Sequence, residues 1–326
     1  MFVIKNTITV NYKRFLGALL SGKGAAYYAI LWKVIKPAGR MVDQLLTNSR
    51  QQQLRENETE IGPCLLIVSP PRSGSTIIYQ VLARAIRCVY FSNLHSILPQ
   101  TASRFLRSHS LFGDTPLTYQ NYYGYTSSIF DVNEGNEAIA GIFQNSDDPA
   151  QIRKNFIQFY QQLGASRKIP LIIKNVRGYE KLLLLHQAVP ELIFFRIQRD
   201  RKQVINSVLK AYDELGTFHP IPKELLKMTI ADEVEFAIRQ ILSMEQSLKR
   251  QQEQISSKKW FTCSYEDFCQ NSVSIITKIS SDYLELDADS YLNNHDFHLQ
   301  ASFSRRVNNK VTVLLPKLVK EYDVES

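Results

Sequence analysis

Seven consecutive residues hold the densest chemistry in this sequence: Pro70-Pro71-Arg72-Ser73-Gly74-Ser75-Thr76. One guanidinium and three hydroxyls surround a glycine, and none of the seven is acidic. Set between a strand and a helix, such a loop suits a phosphate. The first N–H groups of a helix lack intrahelical partners and carry the positive end of its dipole. Gly74 lets the backbone approach the anion, and Ser73, Ser75 and Thr76 add hydroxyl donors. A second unit of the same kind is Arg199-Asp200, with Ser207 eight residues after Arg199. An arginine grips a phosphate with two N–H groups and a hydroxyl adds a further bond. Two such units on adjacent strand ends fit a ligand with phosphates at both ends.

Other chemistries find less support. The loop is not G-x-x-x-x-G-K-[ST]: no glycine opens it and no lysine follows Gly74, so binding of an NTP γ-phosphate loses its main basis. No G-x-S-x-G nucleophile elbow occurs. The cysteines at 64, 88, 263 and 269 form no C-x-x-C pair. Reduced thiols in a cytoplasmic protein are the expectation. His295, Asp296 and His298 lack further ligands at metal spacing, so they read as a polar loop and no metal is expected.

The elements that must position these residues are legible as periodicity. The chain has 326 residues, 44% hydrophobic and 21% charged, with no internal repeat. That is an ordinary globular composition. Continuous apolar runs at 64–68, 170–174, 192–197 and 260–263 predict buried parallel strands, with Val89-Tyr90-Phe91 as a further strand. Helical spacing covers 77–86, 151–163, 179–188, 201–215, 223–255 and 266–284. Alternation of strands and helices predicts an α/β fold with a central parallel sheet covered on both faces, ligands lying at the carboxyl ends of the strands. The Asn121-Tyr-Tyr-Gly-Tyr125 stretch reads as an exposed or substrate-facing loop.

The net charge is +8, yet residues 1–40 hold seven Lys/Arg and no Asp or Glu, leaving +1 for the rest. The basic pI therefore reflects a segment and not the body, which argues against nucleic acid as a partner. Residues 1–58 read as a basic helical extension, ahead of an α/β domain at 59–326. Ala25, Tyr28, Ala29, Trp32 and Ile35 make an apolar stripe, suited either to packing on the domain or to a peripheral contact with an anionic membrane. The longest apolar stretch, Phe15 to Ile35, is interrupted by Lys23 and Lys33, too early for a spanning helix.

Strand–P-P-R-S-G-S-T–helix resembles the 5′-phosphosulfate loop of the sulfotransferases that use 3′-phosphoadenosine 5′-phosphosulfate (PAPS), and Arg199…Ser207 is similar to their 3′-phosphate element. The stretch from Ile172 to Ser207 resembles bacterial members over about 36 residues. Tyr265-Glu266-Asp267-Phe268 resembles their Y-E-D-L segment, and Ser304-Arg305-Arg306 their basic loop over the 3′-phosphate. The resemblance implies a P-loop-NTPase-like three-layer fold and sulfuryl transfer from PAPS, as cosubstrate, to an acceptor hydroxyl or amine. Ser73, Gly74, Ser75 and Thr76 would hold the 5′-phosphate; Arg199, Ser207, Arg305 and Arg306 the 3′-phosphate. Arg72 stands where many members have lysine, and would stabilise the charge developing on the leaving oxygen. Lys174 is a second candidate for that contact. Members use His or Glu as general base, which leaves His95, Glu134 and Glu137 open here, with Glu134 and His95 level. The rival readings are a nucleotide-dependent phosphoryl transferase and a membrane-surface module that captures an anion without catalysis. The acceptor, a carbohydrate among the candidates, and the oligomeric state are not legible.

Overall fold

The computed structural model describes residues 35–46, 60–103, 121–122, 125–126, 128–144, 146–286 and 308–324. Its centre is a parallel sheet of five strands: β1 (Cys64–Val68), β2 (Val89–Tyr90), β5 (Leu171–Lys174), β6 (Leu192–Gln198) and β7 (Trp260–Ser264). A separate antiparallel pair, β3 (Asn121–Tyr122) and β4 (Tyr125–Thr126), lies in what reads from sequence as loop.

Successive strand side chains point to opposite faces, and both faces are apolar. Leu66, Val68, Ile173 and Phe194 enter one core cluster, with α4 (Pro149–Leu163), α5 (Leu182–Ala188) and part of α7 (Glu233–Gln254). Leu65, Ile67, Ile172 and Phe195 enter the other, with α1 (Ser75–Ala85), α8 (Tyr265–Gln270) and α9 (Ser272–Lys278). The continuous apolar runs are thus the sequence image of a sheet with helices on both sides. A third cluster joins α6 (Arg201–Leu215), α7 and α10 (Asn309–Val324). Helices α2 (Asn93–Ile97) and α3 (Asn136–Phe143) flank the end of β2, and residues 35–46 form a further helix.

The strand order β2-β5-β1-β6-β7 fixes where a ligand can bind. The chain leaves β1 to one side, for β2 and β5, then crosses to the other for β6 and β7. The order therefore reverses at β1. In open α/β sheets such a switch point leaves a crevice at the carboxyl ends of the strands. The loop at 69–74 follows β1 directly, and Arg199 follows β6, the neighbour of β1.

Three predicted helices are broken. The stretch 179–188 starts as a 3-10 turn at Gly178–Lys181 and becomes α-helical only in α5. The stretch 223–255 is a 3-10 turn at Lys223–Lys227 followed by α7, whose start is set by Asp232 accepting from the Val234 and Glu235 N–H groups, each at 3.0 Å. The stretch 266–284 divides into α8, α9 and a π turn at Ile279–Tyr283.

Candidate active site

The loop after β1 is shaped by its own residues. Pro70 and Pro71 lack N–H groups and cannot extend the strand ladder. Arg72 and Gly74 both take left-handed backbone conformations, at φ 66° and 90°, on either side of Ser73. Gly74 caps α1 without a side-chain hydrogen bond, and the first turn of the helix contains no acidic residue. Its carbonyl accepts from Ile77 and Ile78, so the N–H groups before them are the orphan donors of a helix start. Ser73 is 1% exposed and its hydroxyl has no hydrogen-bond partner among the described residues. A buried unpaired hydroxyl is destabilising, and this one lies beside a helix N-terminus, where a bound anion could accept from it.

Gly74 is required twice over, by its backbone angle and by Tyr265. A Cβ at this position would stand 2.2 Å from the Tyr265 ring. Tyr265 opens α8, after β7, and is buried; the Arg199 guanidinium lies over its ring at 4.4 Å. Arg199 Nε is 3.8 Å from the Glu266 carboxylate. One aromatic ring therefore sets the height of the loop and the plane of Arg199.

The two anion units meet. Arg72 Nε donates to the Ser207 hydroxyl at 3.1 Å, and Arg199 Nη1 donates to the Arg72 carbonyl at 3.3 Å. Asp200, beside Arg199, caps α6 by accepting from Gln203 N–H at 2.9 Å. It is thus a helix cap for the element that carries Ser207. A cleft of about 390 Å³ opens here, lined by Ser73, Arg199, Asp200, Ser264 and Glu266 among others. That volume lies in the range of small-molecule sites. Lys174 and Glu134 are not among its lining residues.

Lys174 and Glu134 form a group of their own beside the start of α1. Lys174 ends β5 and is 2% exposed. Its ammonium donates to the Thr76 hydroxyl at 2.8 Å and to the Glu134 carboxylate. Glu134 also accepts from Asn136 at 3.2 Å. Burial pushes the Glu134 carboxyl up, but Lys174, Asn136 and the charge of Arg177 together outweigh it and hold the group below its ordinary range. The backbone around Glu134 is pinned by Asn133: its N–H donates to the Phe91 carbonyl, and its side chain joins Asn93 and the Gly135 N–H.

A profile of the sulfotransferase family matches residues 63–290. The chain belongs to the sulfotransferase family. The sulfotransferase has the fold of STF1 from Mycobacterium tuberculosis H37Rv, with 14% identity, a TM-score of 0.57, and coverage of 96% of this chain and 91% of that one. STF9 from Mycobacterium avium aligns at 13% identity and a TM-score of 0.54, over 86% and 81% of the two chains. No curated relative matches in sequence.

Within the sulfotransferase, Arg72, Ser73, Gly74, Ser75, Thr76, Arg199 and Ser207 come together around the β1 and β6 ends, with Lys174 and Glu134 reached through Thr76. Glu137 does not join them: it is exposed and pairs with Lys36 at 3.4 Å and Arg40 at 2.5 Å. His95 is 1% exposed and engaged on both ring nitrogens. Nδ1 accepts from the Ser92 N–H at 3.1 Å in a capping box, and Nε2 lies 3.2 Å from the Ser103 hydroxyl. Burial lowers its pKa to about 3. Arg305, Arg306, His295, Asp296 and His298 lie outside the described residues. Tyr265 and Asn136 are site residues to which sequence reasoning assigned no role. Tyr265 stood within the Y-E-D-F segment, but nothing local shows a ring reaching Gly74.

Proposed function

We propose that the sulfotransferase uses PAPS as donor and transfers its sulfuryl group to a hydroxyl or amine of an acceptor, with Glu134 as general base. The observation that carries this reading is the Arg72–Ser207 hydrogen bond, which brings the two segments side by side beyond the ends of β1 and β6, as a donor with phosphates at both ends requires. The buried, unpartnered Ser73 hydroxyl and the uncapped start of α1 fit the 5′ end; Arg199 and Ser207 fit the 3′-phosphate.

PAPS supplies a sulfuryl group on a phosphate leaving group: an acceptor oxygen or nitrogen bonds to sulfur as the bond from sulfur to the 5′-phosphate oxygen breaks. The chain's own residues do the rest. Glu134 takes the acceptor proton. Arg72 and Lys174 meet the negative charge that grows on the leaving oxygen, a contribution that is often the largest in such reactions. Arg72 keeps its proton at any physiological pH, so it stabilises charge and is not a general acid. Lys174 links the two halves. While its ammonium is held by Glu134 the carboxylate is a weak base; as the ammonium turns to the leaving oxygen, burial raises the basicity of Glu134. The base would then strengthen when the donor is in place.

Isothermal titration with adenosine 3′,5′-bisphosphate should show saturable binding, and radiolabelled PAPS screened against carbohydrate, lipid and phenolic acceptors should label one class. No binding of the bisphosphate would overturn the donor assignment, and ATP competing equally would favour a phosphoryl transferase.

A further inference from the structure

Residues 35–46 form a helix with its faces reversed. The side on the domain is polar or minimal. Asp43, 1% exposed, accepts from the Gln100 N–H at 2.9 Å, the Thr101 N–H at 3.0 Å and the Thr101 hydroxyl at 2.6 Å. Gly39 lies against Ile97, whose Cγ2 would stand 2.0 Å from an added Cβ. Lys36 and Arg40 reach Glu137 of α3. The outward side is apolar: Met41 is 68% exposed, Val42 49%, Leu45 71% and Leu46 40%. These four fall at i, i+1, i+4 and i+5, on one side of the helix. Met41 and Leu45 are each two residues from Asp43, and so about 200° around the axis from it.

A surface helix ordinarily turns its apolar stripe to the core. Here a buried carboxylate fixes the helix with that stripe facing out. Nine large hydrophobic side chains are exposed among the described residues, and four of them belong to this short segment. Single exposed apolar residues need no explanation, whereas a contiguous group marks an interaction surface.

Charge selects the occupant. Residues 1–40 carry seven basic side chains and no acidic one. A second copy would bring the same cationic segment to the contact, and the remaining chain, at 32 basic against 31 acidic, offers no anionic excess to meet it. A bilayer with anionic headgroups answers both features, an apolar layer for the exposed stripe and negative charge for the basic segment. We infer that helix 35–46 docks this protein on an anionic lipid bilayer, with Met41, Val42, Leu45 and Leu46 entering the acyl boundary, Lys36 and Arg40 staying on Glu137, and the positive charge of the five basic residues that precede the helix in sequence drawing it to the headgroups. At twelve residues this helix is too short to cross a bilayer, so its contact is with one leaflet.

The inference does not depend on the donor. The test is flotation of the full chain with vesicles of phosphatidylcholine alone, or of phosphatidylcholine and phosphatidylglycerol in equal parts. The chain floats with the anionic vesicles and not the neutral ones. Met41→Glu with Leu45→Glu lowers the bound fraction about tenfold or more, with melting temperature and bisphosphate binding unchanged. Met41→Gln with Leu45→Gln does the same in smaller measure, should the charged pair unfold the chain. Absence of flotation with anionic vesicles overturns the inference, as does flotation that neither pair reduces. A dimer in light scattering that the substitutions dissociate would assign the face to a second copy instead.

Discussion

Arg72 donates its Nε–H to the Ser207 hydroxyl at 3.1 Å, across 135 residues of chain. The bond crosses the switch point of the sheet: Arg72 follows β1, and Ser207 lies on the helix that follows β6. Arg72 holds a left-handed backbone angle to make it. Such conformations are costly for residues with a Cβ, and they gather at functional sites. The geometry separates the roles of Arg72, Arg199 and Ser207.

Arg199→Ala should lower the affinity for adenosine 3′,5′-bisphosphate about a hundredfold, since a charge-assisted, two-pronged grip is lost. Ser207→Ala should lower it about tenfold, the worth of one hydrogen bond to a charged group. Arg72→Ala should depress turnover more than affinity, because its charge serves the leaving oxygen. Calorimetry and initial rates on the same preparations separate these effects. Equal losses of affinity and turnover in all three variants would mean that the residues only shape the loop.

Glu134→Gln should reduce kcat by about a hundredfold or more, the usual worth of a positioned base, while bisphosphate affinity changes little. The pH profile discriminates further. Glu134 titrates below its ordinary range because Lys174 and its other partners outweigh burial. Its ionised pair therefore stabilises the fold above the ordinary carboxylate range, and this contribution is lost as pH falls through the lowered pKa. Lys174→Met removes the main opposing charge and leaves burial to raise the carboxyl. The acid limb of kcat should then move to higher pH. An acid limb that stays in place would show that Glu134 is not the titrating base.

The sheet was readable because both its faces are buried. Strands such as Leu192–Gln198 appear as unbroken apolar runs, and α6 matches its predicted span, 201–215. The loop at 70–76 stands out in the sequence for a similar reason: its guanidinium and hydroxyls are contiguous. The Lys174–Glu134 pair was not, since 40 residues separate its members and only the placement of β5 beside β1 brings Lys174 to α1. His95 hid its role in another way. It fills the N3 position of a capping box, where Glu or Gln is the usual residue, so its spacing from Ser92 gave no signal. The break in 223–255 turns on Asp232, which caps α7 by accepting from the Val234 and Glu235 N–H groups.

Gly74→Ala should destabilise the protein by about 2–4 kcal/mol, because a Cβ must displace the Tyr265 ring from a left-handed backbone position. Bisphosphate binding should weaken in the same variant, as Tyr265 also carries Arg199 over its ring at 4.4 Å. Thermal melting with and without the nucleotide reads both effects. A variant with native melting and weakened binding would confine the role of Gly74 to the ligand.

His95 provides the opposing test for the base. Its imidazole is buried and its pKa lowered to about 3, against 6.5 for the ordinary group. The unfolded chain takes up a proton near the ordinary value while the folded chain does not. Stability from this residue is therefore complete above that value and falls with acidification until the folded group itself titrates, at up to about 1.4 kcal/mol per pH unit. His95→Gln keeps a side chain able to serve the capping box but removes the titration. The variant should be less stable than the parent at neutral pH by about 1–2 kcal/mol, the worth of the disturbed hydrogen bonds. That gap should close as the pH is lowered, and the acid limb of kcat should not move. Chemical denaturation at several pH values, set beside rate profiles, measures both. Should His95→Gln abolish turnover while native melting and bisphosphate affinity persist, the proton would pass to His95 and the assignment of Glu134 as base would be wrong.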